Sequence, residues 1–151
     1  MRMRGFGAGM GLALLLAGLL VGPARPGFAQ LAPEMPGSIT AYCGGGVTGG
    51  GGGTRITSDG ELVRLDRARS GAPQTLTLLG NDIQAYRRWK TTLDEAGFTR
   101  MTDLRPGNLS CSLTQEVRGR LFGLAWPGAA PPSRIPEPVR RVFLELRARG
   151  D

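Results

Sequence analysis

No histidine occurs anywhere in the 151 residues. That absence removes the imidazole base of Ser/His and Cys/His nucleophile systems in their usual form. It also removes His-based metal sites, and Cys43 and Cys111, the only cysteines, cannot build a four-thiolate zinc site alone. Lysine is almost missing as well. Lys90 is the single one, and no Gly-Lys-Ser/Thr sequence occurs, so no phosphate-binding P-loop is encoded. The stretch Gly44–Gly49 formally matches G-x-G-x-x-G, but it lies inside a glycine run and the residues after it read as strand. Dinucleotide binding needs a helix N-terminus there. The expectation is therefore a non-enzyme with no cofactor and no metal. The acids Asp59, Asp66, Asp94, Glu95 and Asp103 leave a carboxylate-pair hydrolase as a remote reading, although nothing in their spacing brings two together.

The first residues carry a different kind of information. A basic head, Arg2 and Arg4, precedes an uncharged stretch from Gly5 to Ala24, densest at Leu12–Val21, and a small-residue site, Gly27-Phe28-Ala29. These are the three parts of a secretory signal, with cleavage expected after Ala29. The apolar stretch, about 18–20 residues, is marginal for an uncleaved membrane anchor. No cysteine near its end suggests lipidation, and no twin arginine precedes it. The chain is thus expected to be periplasmic or secreted, with no stable membrane span once residues 1–29 are removed. Those residues hold Arg2, Arg4 and Arg25 and no acid, so their loss takes three charges off +7 and leaves +4 over 122 residues. That moderate balance favours solubility and does not single out nucleic acid.

The mature chain is sized for one domain, expected over 38–149 after a loose, proline-containing leader at 30–37. Ser38 to Cys43 alternates as a strand with Ile39, Ala41 and Cys43 on one face. Segments at Thr54–Thr57 and Glu61–Arg67 flank Ser58-Asp59-Gly60, a hairpin signal. Thr75–Leu79 reads as a short strand or an extended lead-in. Asn81 is the expected N-cap of a helix from Asp82 to about Ala96, with Gln84 completing a capping box, Tyr86, Trp89, Leu93 and Ala96 on its core face, and Gly97 as its stop. Thr99–Asn108 reads as a loop. Leu109, Cys111 and Leu113, then Phe122, Leu124 and Trp126, alternate on two strands of a hairpin turning at Arg118-Gly119. A last helix from about Pro136 to Ala148 carries the stripe Val139, Val142, Phe143 and Leu146, with Arg140, Arg141, Arg147 and Arg149 outside it and at its end. The expected fold is α+β: a small antiparallel sheet in strands–helix–hairpin–helix order, with two helices packed on one face. Two cysteines in an exported chain, each on an apolar strand face, read as a Cys43–Cys111 disulfide; two buried thiols or a redox pair are the alternatives.

Glycines from Gly44 to Gly53 have no core explanation and lose much backbone entropy on folding. One reading is a flexible hairpin connection. The other is a recognition element in which Gly45, Gly46, Val47, Thr48 and Gly49 let another surface approach the backbone. The run Gly44-Gly45-Gly46-Val47-Thr48-Gly49, closing a first strand, resembles the small-Gly-Gly-apolar-small-Gly signature of emfourin-type proteins. The later order of elements follows the same pattern: a helix ending Leu93–Phe98, a hairpin, then Pro136 and the Val139/Val142/Leu146 helix. The resemblance implies a small inhibitor of thermolysin-like metallopeptidases. The chain departs from that pattern in its two cysteines, its longer glycine run and its export signal. The expected function is an exported, non-enzymatic binding domain with a protein partner and no nucleic acid; the alternative is an emfourin-like peptidase inhibitor acting through the glycine loop.

Overall fold

The computed structural model describes residues 36–101, 103–105 and 107–151. The expected signal at 1–29 and most of the leader at 30–37 lie outside these. Among the described residues, seven strands form one sheet: β1 Ser38–Gly45, β2 Gly50–Thr57, β3 Glu61–Arg67, β4 Thr75–Asn81, β5 Asp103–Leu104, β6 Leu109–Val117 and β7 Arg120–Pro127. Helix α1 spans Ile83–Glu95 and α2 spans Glu137–Ala148. The spatial order is β4-β3-β2-β1-β6-β7-β5. Every neighbouring pair is antiparallel except β5 with β7, which is parallel. The α+β class stands, but the expected strands–helix–hairpin–helix order does not hold, and the sheet is larger than expected. Four strands precede α1, and β5 enters between α1 and the β6–β7 hairpin, inside the stretch read from sequence as a loop.

Alternation along β1, β2, β6 and β7, with Leu62 of β3, builds one core face. Ile39 and Ala41 of β1, Ile56 of β2, Leu62 of β3, Cys111 and Leu113 of β6, and Leu124 and Trp126 of β7 lie in one buried cluster. Ala85, Tyr86, Trp89 and Leu93 of α1 and Val139, Val142, Phe143 and Leu146 of α2 close it from above. Both helices therefore sit on the same sheet face. Each large apolar side chain buried this way contributes about 1.5–3 kcal/mol. Trp126 meets Phe143 edge-on, with ring centroids 4.8 Å apart. Trp89 Nε1 donates to Glu145 at 2.8 Å, which ties α1 to α2 through a polar atom at the core's rim.

Several local details differ from the sequence reading. Asp82, not Asn81, caps α1: its carboxylate accepts from the Ala85 backbone N–H at 2.9 Å. Asn81 ends β4 and donates its amide to the Asp59 carbonyl at 3.0 Å, so it is occupied across the β2–β3 turn. Gln84 is exposed, and no capping box forms. Leu109 is exposed, and the buried face of β6 is instead Cys111, Leu113 and Gln115. At the β6–β7 turn both Arg118 (φ 50°) and Gly119 (φ 73°) are left-handed, the geometry that suits a tight hairpin.

Cys43 and Cys111 form a disulfide and face each other directly in the β1–β6 register. It closes a separation of 68 residues, for which chain-entropy arguments give about 4 kcal/mol. Arg147, read from sequence as an outward cation, reaches back to donate to the Cys43 sulfur at 2.6 Å. Among the described residues, no helix is long and apolar enough to cross a membrane.

Candidate binding surface at the glycine hairpin

The glycine run is not a long flexible loop. Gly44 and Gly45 finish β1, and Gly50 to Gly53 begin β2, paired in register from Cys43↔Gly52 to Gly45↔Gly50. Only Gly46, Val47, Thr48 and Gly49 lie in the turn. Gly45 (φ 111°), Gly46 (φ 71°) and Gly49 (φ 63°) are all in the region that favours glycine. The turn is closed by Gly49 N–H donating to the Gly46 carbonyl at 3.2 Å. It is braced on both flanks. Gly46 N–H donates to the Asn108 carbonyl at 2.6 Å, and Ser70 N–H donates to the Thr48 carbonyl at 2.9 Å. The Gly50 N–H also reaches the Thr48 hydroxyl at 3.3 Å. Held this way, the Val47 side chain is fully exposed. An apolar, β-branched side chain on a turn tied down at both sides is presented with little conformational freedom left to lose on contact.

Gly44, Gly51 and Gly53 have a packing reason. On the face of the sheet away from the helices, Tyr42 pairs with Gly53 and Ser112, and Gly44 pairs with Gly51 and Ser110. A Cβ placed on Gly44 would lie 2.8 Å from Tyr42 Cε1, and one on Gly51 would lie 2.6 Å from the Tyr42 hydroxyl. The tyrosine ring thus lies along the strand over the space that these two glycines leave empty. A Cβ on Gly53 would run into the Ala41 carbonyl, so strand approach alone demands glycine there. The outcome is a shallow cleft of about 310 Å³ beside the turn, with Tyr42, Gly44, Ser110, Ser112 and Ala125 as floor and Arg67 at its rim. Tyr42, Ser112 and Arg67 were not singled out from sequence. The alternation of β1 does place Tyr42 opposite the Cys43 face, but its glycine neighbours follow only once the hairpin register is known.

Three of the acids named from sequence, Asp59, Asp66 and Asp94, are held in separate partnerships. Asp59 accepts from the Thr57 hydroxyl, and that bond holds its carboxyl below the usual range. Asp66 is paired with Arg64 at 3.0 Å on β3, and Asp94 with Lys90 at 2.5 Å on α1. Glu95 is exposed near the end of α1. Asp103 lies in β5. Among the described residues, no group of three His, Cys, Asp or Glu side chains is placed to hold a metal ion. The described hairpin surface offers backbone amides and carbonyls, one apolar tip, an aromatic floor and one cation, a set suited to contact with another surface. No protein-family model and no curated protein matches this chain.

Proposed function

We propose that this protein is an exported, non-enzymatic recognition domain, folded over 38–149, that binds a protein partner through Gly45, Gly46, Val47, Thr48 and Gly49. The observation that carries this reading is Val47, fully exposed on a turn anchored to Asn108 and Ser70. Burying such a side chain in a partner's pocket is worth about 1.5–3 kcal/mol, and the anchored turn reduces the ordering that binding must oppose. The disulfide between Cys43 and Cys111 is compatible with an oxidising compartment and supports export.

The test is affinity capture of envelope and secreted proteins on the immobilised protein. A partner retained by the wild type and lost with Val47→Asp, while the variant keeps its circular dichroism, supports the reading. Partners retained equally by both remove the turn from the interface.

A second reading narrows the partner to a metallopeptidase. It rests on the emfourin-type signature at Gly44–Gly49 and on the position of Val47, since a concave, mostly apolar cleft accepts a projecting apolar side chain. Inhibition of a thermolysin-like peptidase by the wild type, weakened about tenfold or more by Val47→Asp (~1.4 kcal/mol), is its expected result. No inhibition by the wild type at a large excess contradicts it and leaves the broader reading intact.

A further inference from the structure

Strand β4 forms one edge of the sheet, and all seven of its residues, Thr75–Asn81, are exposed. Natural edge strands are normally blunted by charge, proline or brevity, because an open edge presents unpaired N–H and C=O groups to any extended chain. This one has no charged residue and no proline. Its one irregularity, an extra residue at Leu79 between the Val63↔Leu78 and Leu62↔Gly80 pairs, sits near one end and leaves Thr75–Leu78 regular. Leu76 and Leu78 are 55% and 66% exposed. By register they share a face with the buried Leu65 and Val63 of β3, their direct partners. That small apolar surface ends abruptly at the edge.

We propose that the β4 edge pairs antiparallel with β4 of a second copy of this chain, so that the two sheets run on as one across a two-fold axis at Thr77. The segment is self-complementary about that point. Antiparallel pairing centred on Thr77 sets Leu76 against the second copy's Leu78, Leu78 against its Leu76, and Thr77 against Thr77, with no charge to repel on either side. An isologous contact of this kind closes on itself. The opposite edge of the sheet is β5, two residues long, so a head-to-tail stack of sheets finds no matching edge and assembly stops at the dimer. The pairing continues the apolar rows Val63–Leu78 and Leu65–Leu76 into the second copy and satisfies the open backbone groups of both.

The test is the mass of the purified protein by sedimentation or light scattering over a concentration series, alone and with Thr77→Lys and Thr77→Glu. The wild type is expected to dimerise as concentration rises. Each variant alone sets like charges opposite one another at the axis and weakens the dimer about fivefold or more. Mixing the two variants sets Lys against Glu and restores association to at least wild-type strength, which a misfolded variant would not do. A wild type that stays monomeric up to about 1 mM, the weak end of specific association, overturns the proposal and leaves the edge to a foreign strand. So does a dimer that both variants leave unchanged, or a loss of association that mixing fails to restore.

Discussion

At the scale of single residues, the chain's polar contacts act as anchors between elements. Asp82 caps α1 and also accepts from Arg149, just beyond α2, at 3.1 Å. The Ala85 amide, with Arg149 and Arg88 nearby, holds its carboxyl below the usual range. A depressed folded pKa means that the stabilisation is complete above the unfolded value, about 3.9, and is lost as pH falls through the folded value. Acid titration of thermal stability should therefore show a decrease below about pH 4 that is smaller in Asp82→Asn. An unchanged profile in that variant would assign the decrease to other carboxylates. The cap also illustrates what local sequence can and cannot reveal. Asn81 and Asp82 are equally good caps by type, and a sequence window cannot choose between them. The choice falls to Asp82 because Asn81 is drawn to Asp59, 22 positions away in the chain.

Among the elements, both helices are legible in the sequence because a 3.6-residue stripe is local: Tyr86, Trp89 and Leu93 in one, Val139, Val142, Phe143 and Leu146 in the other, all buried. The facing strands β1 and β6 are legible for the same reason, and so is the pairing of their cysteines. What sequence hides is pairing at a distance. Glycines 50 to 53 look like a loop because they carry no alternation, yet they are strand. Their missing side chains make room for Tyr42 and for close strand approach, which only the register reveals. β5 escapes notice because two residues show no period, and Arg147 reads as an outward cation because Cys43 lies 104 positions away. The staple between β1 and β6 makes its own prediction. Denaturant unfolding with and without reductant should differ by about 4 kcal/mol in favour of the oxidised protein. Equal stabilities would show that the strands hold their register without the bond.

The whole molecule, on the proposed reading, has three parts: a removable export signal, a stapled α+β body and a braced hairpin turn at one end of the sheet. The body explains the strands, the helices and both cysteines without reference to function. The turn is the part that packing does not require, since Val47 contributes nothing to the core. If the signal operates as proposed, the protein recovered from an extracytoplasmic fraction begins at Gln30 and takes up no thiol label before reduction. A chain that begins at Met1 there, or that labels at once, contradicts the export reading or the oxidised state respectively.

The glycine hairpin is thus a built, anchored presentation of Val47 and not a slack connector. Residue-resolved amide hydrogen exchange of the free protein at the two bracing bonds checks this. The Gly46 and Ser70 amides, donated to the Asn108 and Thr48 carbonyls, should exchange at least about tenfold more slowly than an unfolded chain. Exchange of both at the unfolded rate would mean that the turn is unanchored, and the reason for singling out Val47 would fall with it.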